Sequence, residues 1–294
     1  MCSTEIKIPV PWGYIAAQVW GNEANPKILM LHGLFDNSES FSGLAPLLPS
    51  SYCYIALDLP GHGRSTHFPK TTASNFLDYV IALRLTIRFL TESALTIIGH
   101  SFGSKLAAVY SQLYPNEISR LVLIDPSYLT YRPIKAFRND YRNYMKQACN
   151  LLQETKTTST QSYEKGFQNF MRKRLYGGMT RQAAEKLYKR SIIELDGEYH
   201  TLTDPLTKLG ICIFVNASAS SHMWKKCPII CPTLNIFGLR STVPIEYKEI
   251  LTKILGMNRR GVTKFVDGGH HVHSDSPDIV APLICDFLSL KCNL

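Results

Sequence analysis

The sequence contains no apolar run long enough to cross a membrane. A membrane-spanning helix needs about 18 or more consecutive apolar residues, and the longest runs here, such as residues 211–215, are far shorter. The first residues also lack the basic, apolar and small-residue order of a secretory signal. We therefore expect no membrane span and a cytoplasmic location.

Paired cysteine motifs are missing as well. The eight cysteines are scattered, and only Cys227 and Cys231 lie close together, without the second ligand pair of a zinc site. Reduced thiols in an intracellular protein are the better interpretation. The sequence predicts no metal site and no cofactor.

Charged residues are few, at 19% of 294 residues, and hydrophobic residues reach 45%, which excludes a disordered chain. The net charge is +9, and all of the excess lies in residues 127–227, which hold 17 Lys or Arg and 8 Asp or Glu. No nucleic-acid-binding motif accompanies this basic segment, so we expect no nucleic-acid partner.

Short apolar strands alternate with helices along most of the chain. The predicted strands are 6–10, 14–20, 27–31, 52–57, 95–98, 121–124, 233–237 and 262–266. The predicted helices include 38–48, 74–90, 247–255 and 279–288, and Leu77 and Ile81 mark one side of the second of these. This alternation is typical of a parallel sheet covered by helices on both faces.

Residues 127–227 interrupt the alternation. They contain no clean buried strand, and helical stretches are predicted at 141–152, 162–175 and 181–193. Both ends of the segment enter the sheet domain, which favours an insertion over a second independent domain. We predict a helical lid inserted after the sixth strand, with residues 1–126 and 228–294 forming the core.

The most informative motif is Gly99-His100-Ser101-Phe102-Gly103, a Gly-x-Ser-x-Gly pattern. It stands between a predicted strand and a predicted helix, the context in which this pattern marks a nucleophilic serine on a sharp turn. The flanking glycines leave room for strand and helix to approach. Ser101 is therefore the candidate nucleophile.

A serine hydroxyl needs a base to remove its proton. His270 directly follows Gly-Gly in a loop at a predicted strand end, a position where sheet folds of this class place working residues. His271 and His273 are competitors. The three histidines also raise a metal-site interpretation, which we discount because no acidic or cysteine partner lies at ligand spacing.

An acid is needed to orient the histidine, and three positions could supply it: Asp125, Glu246 and Asp267. Asp125 ends the strand predicted to lie beside the strand of the serine motif, so we favour it, by geometry of roles and not by chain position. The alternative is that Asp125 only caps a turn with Pro126.

An oxyanion formed during acyl transfer is normally held by two backbone N–H groups. One should belong to Phe102, directly after the nucleophile. The other should come from the loop after the strand that ends near His32-Gly33, and Leu34 is the candidate.

Several motifs together resemble the α/β-hydrolase superfamily and, within it, the animal serine hydrolase-like proteins, which include the insect kraken type. The matching pieces are Pro11-Trp12-Gly13 with Ile15-Ala16-Ala17 and Trp20-Gly21, Leu31-His32-Gly33 with Asp36-Asn37, Gly61-His62-Gly63, Gly99 to Gly103, Leu123-Ile124-Asp125, and His270 with His273. The resemblance covers most of the chain outside residues 127–227.

The resemblance implies a mostly parallel eight-stranded sheet flanked by helices, with a helical lid. It also implies hydrolysis of carboxylic esters through an acyl-enzyme, with Ser101 as nucleophile and His270 as base. Hydrolases of this kind usually carry their acid in a Gly-x-x-Asp setting, where this chain reads Gly238-Leu239-Arg240-Ser241.

Two functions remain open at this point. The first is a serine esterase acting on small-molecule esters with small to medium hydrophobic groups. The second is a ligand-binding protein with slow or no turnover, favoured by the serine at position 241. The resemblance also implies perinuclear vesicles or peroxisomes as locations, but the terminal Lys291-Cys292-Asn293-Leu294 does not match the Ser-Lys-Leu peroxisomal signal.

Overall fold

A single eight-stranded sheet organises the protein in a computed structural model that describes residues 2–70, 74–127, 137–153, 162–172, 174, 176–209 and 217–290. Its strands are β1 (Thr4–Val10), β2 (Gly13–Trp20), β3 (Lys27–Leu31), β4 (Cys53–Leu57), β5 (Leu95–His100), β6 (Ile118–Ile124), β9 (Thr233–Gly238) and β10 (Gly261–Val266). Two further strands, β7 (Ile192–Leu195) and β8 (Glu198–Thr201), form a separate antiparallel hairpin.

The sheet order is β1-β2-β4-β3-β5-β6-β9-β10. The two pairings that involve β2 are antiparallel, and all others are parallel. Carboxyl ends of neighbouring parallel strands meet at one edge of a sheet, so the residues that follow β5, β6 and β9 are brought together there. The predicted α/β fold with its mostly parallel eight-stranded sheet is confirmed.

Helices cover both faces of the sheet. The described helices of the chain are α1 (Phe76–Leu90), α2 (Phe102–Leu113), α3 (Phe137–Gln153), α4 (Tyr163–Arg172), α5 (Arg181–Arg190), α6 (Ala217–Lys226), α7 (Ile245–Leu255), α8 (Val272–Asp275) and α9 (Pro277–Ser289). Strand residues alternate between two cores: Leu29 packs in the core that includes α1, α2 and α7, whereas Ile28 packs in the core that includes α9. Burial on both faces explains why the strands read as continuous apolar runs.

Two helix predictions are wrong in detail. The predicted helix 38–48 is instead two short 3-10 helices, Ser38–Phe41 and Ala45–Leu47. Gly43 lies between them and Pro46 cannot donate a helical hydrogen bond, so a continuous helix is disfavoured. In α1, Leu77 and Ile81 are exposed, because the helix buries its other apolar side, which includes Phe76, Val80 and Leu83.

We predicted a helical segment between β6 and β9. Its described part contains helices and, in addition, the β7–β8 hairpin after α5. Its aromatic side chains form a small cluster of their own around Phe167 and Tyr188. Arg190 at the end of α5 forms a buried ion pair with Asp58 of the sheet domain (2.9 Å). The role of this segment as a lid stays a prediction.

Candidate active site

The Gly-x-Ser-x-Gly motif forms a sharp turn between β5 and α2. Ser101 has φ 47° and ψ −111°, a conformation that non-glycine residues rarely adopt. An added Cβ on Gly103 would lie 2.0 Å from the carbonyl oxygen of Leu31, and one on Gly99 would lie 2.7 Å from the backbone of Gly103. The two glycines therefore permit the close strand–helix contact that the strained serine requires.

Asp125 directly follows β6, also with a positive φ of 37°. One carboxylate oxygen, Oδ1, accepts a hydrogen bond from the backbone N–H of Gly238 (3.0 Å). The other, Oδ2, accepts one from the hydroxyl of Ser241 (2.6 Å) and lies 2.5 Å from Nδ1 of His270. The carboxylate is thus held by the neighbouring strand β9 and the loop after it, and it faces the predicted base.

The contact with Asp125 determines which ring nitrogen of His270 carries the proton. A carboxylate that accepts the Nδ1–H hydrogen bond leaves Nε2 free of a proton, which is the form a general base requires. The backbone carbonyl of His270 accepts a hydrogen bond from Nε2–H of His100 (2.9 Å), and the ring packs edge-on against Tyr176 at 5.2 Å. Both the backbone and the ring of His270 are therefore fixed by neighbours.

The other candidates lie elsewhere. His271 and His273 are buried but make no hydrogen bond to Asp125 among the described residues. Asp267 is exposed and pairs with Arg240 (2.8 Å). The side chain of Glu246 lies outside the described residues. Of the predicted alternatives that can be compared, only Asp125 and His270 are brought together.

Ser101 and His270 line the same small cavity, with Leu34 beside them. The structure places no hydrogen bond between the Ser101 hydroxyl and His270 within the described ranges, and such bonds are often long before substrate binds. The backbone N–H groups of Leu34 and Phe102 have no hydrogen-bond partner among the described residues, so both are available as donors.

The loop that carries Leu34 is held by His32. Its Nδ1–H donates to the carbonyl of Gly33 (2.7 Å), and its Nε2 accepts from the backbone N–H of Leu59 (2.9 Å). Burial lowers the pKa of His32, so the ring stays neutral with one nitrogen donating and the other accepting. This neutral form fixes the position of the predicted oxyanion donor.

Comparison with known proteins agrees with this geometry. Residues 26–277 match the family described as alpha/beta hydrolase fold. The chain belongs to the α/β-hydrolase fold family. The arrangement of a strained serine, a histidine and an aspartate at the sheet edge is consistent with that membership.

Two serine hydrolase-like proteins of animals are similar over nearly the whole chain. The zebrafish (Danio rerio) protein is 32% identical over 97% of this chain and 88% of its own length. The mouse (Mus musculus) protein is 25% identical over 97% of this chain and 95% of its own length. The thioesterase domain from the curacin biosynthetic pathway has the same fold, with a TM-score of 0.82, 21% identity, and coverage of 97% of this chain and 100% of that one.

None of the helices described in this α/β hydrolase is long and apolar enough to span a membrane. The cytoplasmic location and the absence of a nucleic-acid partner stay predictions.

A second polar cluster surrounds Asp36, next to the cavity. Arg174 donates a hydrogen bond to Oδ1 of Asp36, and Nδ1 of both His100 and His271 lies 3.7 Å from Oδ2. Although burial opposes it, the Arg174 guanidinium holds the pKa of Asp36 below its usual value. Burial lowers the pKa of His271 to about 4 and that of His100 well below its usual value. The cluster thus contains a carboxylate and neutral imidazoles.

Sequence reasoning missed three residues near the site. Ser241 appeared only as a lost acid, yet its hydroxyl supports Asp125. Asp36 and Arg174 were not proposed as site residues, although Asp36 stands three residues after Gly33 in the predicted oxyanion loop. For Arg174 no local signal exists, because it reaches the site from the inserted segment.

Proposed function

We propose that this α/β hydrolase cleaves carboxylic esters of small to medium hydrophobic substrates through an acyl-enzyme intermediate. The observation that carries the proposal is the buried Asp125–His270 pair, with 2.5 Å between Oδ2 and Nδ1, at the edge of the sheet where Ser101 is held on its strained turn. Relatives named serine hydrolase-like and a fold neighbour that is a thioesterase domain support acyl transfer as the reaction class.

In the first half of the reaction, Nε2 of His270 takes the hydroxyl proton of Ser101 while Oγ attacks the ester carbonyl. The imidazolium that forms is stabilised by the carboxylate of Asp125, which is nearly fully buried and accepts hydrogen bonds from Gly238 and Ser241. The backbone N–H groups of Leu34 and Phe102 stabilise the oxyanion. The imidazolium then gives its proton to the leaving alcohol.

In the second half, water replaces the alcohol. His270 accepts a proton from water, which attacks the acyl carbon of the Ser101 ester, and the same two N–H groups hold the second oxyanion. Collapse of this intermediate releases a carboxylic acid and returns the proton to Ser101. The balance needs only ester and water, so no cofactor enters the reaction.

The size of the cavity bears on the substrate. In this conformation the space beside Ser101 is about 10 Å³, roughly the room of one water molecule. An acyl group must therefore displace part of the cavity wall. Among the described residues that line the cavity, Arg174 is the one that belongs to the inserted segment. We expect short acyl chains to require the least displacement. In this proposal, residues 127–227 act as the lid.

Hydrolysis of p-nitrophenyl esters with graded acyl chains tests the function. We expect turnover by the wild type, highest kcat/KM for the shortest chains, and loss of at least about 10³-fold in Ser101→Ala. Ser111→Ala is the matched control, because Ser111 lies in α2, the helix that follows Ser101, and its hydroxyl donates to the backbone carbonyl of Ala108. Folded wild type with no turnover of any ester would contradict the proposal.

The alternative of a ligand-binding protein without turnover depended on the serine at position 241. Because Ser241 donates to Asp125, and Asp125 contacts His270, the role of the missing acid has a candidate. The serine at position 241 therefore no longer favours a ligand-binding protein without turnover.

A further inference from the structure

Three buried side chains near the nucleophile present polar atoms with no hydrogen-bond partner. Within the described residues, Oδ2 of Asp36, Nδ1 of His100 and both ring nitrogens of His271 are unpartnered. The three residues are 2%, 0% and 4% exposed. Buried polar atoms are almost always satisfied, so several unpartnered atoms facing one another call for an explanation.

The protonation state of His100 makes the arrangement more unusual. Its Nε2 faces the backbone carbonyl of His270, which can only accept, so Nε2 carries the proton. The neutral ring therefore has a lone pair on Nδ1, and this lone pair faces the Asp36 carboxylate at 3.7 Å. Two electron-rich atoms that face each other in a buried place repel each other unless a positively charged or hydrogen-donating group lies between them.

The distances fit a metal ion better than a direct hydrogen bond. Oδ2 of Asp36 lies 3.7 Å from Nδ1 of His100 and 3.7 Å from Nδ1 of His271, and one donor atom of each residue lies within 4.8 Å of the other two. Ligands held at about 2.0–2.2 Å by tetrahedral Zn²⁺ are separated by roughly 3.4 Å. Small movements of the rings would complete such a site.

The surroundings also suit a bound ion. An added Cβ on Gly33 would lie 2.8 Å from Nδ1 of His100 and 3.1 Å from Oδ2 of Asp36, so the space between these atoms exists because residue 33 is glycine. Metal-bound histidines usually donate their second ring N–H to a carbonyl or carboxylate. His100 already makes that hydrogen bond, to the backbone of His270.

We propose that Asp36, His100 and His271 form a binding site for one divalent transition-metal ion of the Zn²⁺ type, beside the nucleophile. Neutral imidazole and carboxylate are the ligands that such ions take, and three protein ligands leave a fourth position for water. The inference is independent of the ester-cleaving reaction. The sequence shows no acidic partner for the histidines at ligand spacing. In the fold, Asp36 from the loop after β3 provides that acidic partner.

Arg174 limits the affinity of the site. Its guanidinium pairs with the second oxygen of Asp36, so a positive charge already lies close to the proposed ion. We therefore expect binding weaker than that of a structural zinc site, and tighter binding in Arg174→Gln. Weaker binding in that variant would contradict the assignment.

Calorimetric titration of the purified full chain with Zn²⁺, and visible absorption after addition of Co²⁺, test the site without reference to activity. We expect one ion per chain and the intense bands of tetrahedral Co²⁺. His271→Gln should weaken Zn²⁺ binding at least about tenfold. It should fold normally, because the His271 side chain has no hydrogen-bond partner within the described part of the chain. Asp36→Asn should weaken binding at least as much.

His222→Gln is the matched control, because His222 is exposed on α6. It should bind Zn²⁺ like the wild type. No binding by folded wild type, binding unaffected by His271→Gln, or binding reduced equally by His222→Gln would each overturn the proposal. The first outcome would assign the space between Asp36 and His100 to a shared proton or water.

Discussion

Two carboxylates lie near Ser101, and they differ in how completely their oxygens are hydrogen-bonded. Both oxygens of Asp125 accept hydrogen bonds, from Gly238 and Ser241, and one also meets His270. Asp36 pairs with Arg174 through one oxygen, and its other oxygen faces two imidazoles that do not donate to it. The first arrangement fits a group that must stay charged and oriented through a reaction. The arrangement at Asp36 fits a carboxylate that binds a ligand.

The difference follows from the position of each carboxylate in the fold. Asp125 directly follows the central strand β6, so the neighbouring strand β9 supplies a backbone donor and the loop after it supplies a hydroxyl. Asp36 lies in a loop and meets groups from the serine turn, the histidine loop and the inserted segment. The carboxylate beside the sheet thus accepts a hydrogen bond from a backbone N–H, whereas the loop carboxylate accepts one from the Arg174 side chain.

The largest effect should come from breaking the Asp125 arrangement. Asp125→Asn should reduce kcat for a p-nitrophenyl ester by about 10²–10⁴-fold, because an amide cannot stabilise the imidazolium and favours the wrong tautomer. Steady-state kinetics measures the loss. Asp267→Asn is the matched control, since that carboxylate is exposed and pairs with exposed Arg240. A near-normal rate in Asp125→Asn would move the orienting role to another residue.

A smaller effect should come from Ser241→Ala, which removes one donor from Asp125 and leaves the carboxylate in place. A hydrogen bond to a charged group is worth about 1.5–3 kcal/mol, so loss of all of it in the transition state should lower kcat by about 10- to 150-fold. Ser241→Thr, which keeps the hydroxyl, should retain most of the rate. If alanine and wild type were equally active, Ser241 would have no part in holding Asp125.

The smallest effect concerns the unpartnered histidines. His273 packs 4.1 Å from the His100 ring and is fully buried, and burial lowers its pKa from 6.5 to about 3. The His273 imidazole thus takes up a proton near pH 6.5 in the unfolded chain, but only near pH 3 in the folded chain. Acid therefore favours unfolding across this range, by about 1 kcal/mol per pH unit for one such group.

His273→Leu removes that contribution. The fall in the free energy of unfolding between pH 7 and pH 5, measured by urea denaturation, should be smaller in His273→Leu by roughly 1–2 kcal/mol. His62, His100 and His271 act in the same direction and keep part of the slope. His222→Gln serves as the exposed control. An unchanged slope in His273→Leu would show that His273 charges freely in the folded protein.

Local sequence patterns were sufficient for the sheet and for the serine turn. Strand β3 lies where the apolar run predicts it, and the turn at Ser101 follows from glycines whose absent side chains leave the needed space. Local sequence patterns did not show which side of helix α1 is buried. Both sides of α1 are apolar, so periodicity could not distinguish buried Phe76 from exposed Leu77.

The site was predictable to the extent that it follows strand ends. Asp125 and His270 each follow a strand, and the parallel sheet brings their ends together. The cluster at Asp36 was not predictable, because it joins residues from four separate segments and no sequence spacing records their distance. For the same reason, the hydroxyl of Ser241 was taken as a loss when it is a donor to Asp125.

The most direct measurement of the central claim is covalent labelling by a fluorophosphonate, followed by mass spectrometry of the intact chain and its peptides. The account predicts one adduct on the Ser101 peptide of the wild type, much slower labelling of Asp125→Asn, and no labelling of Ser101→Ala. Folded wild type that acquires no adduct, or an adduct on another residue that persists in Ser101→Ala, would contradict the assignment of Ser101 as the nucleophile.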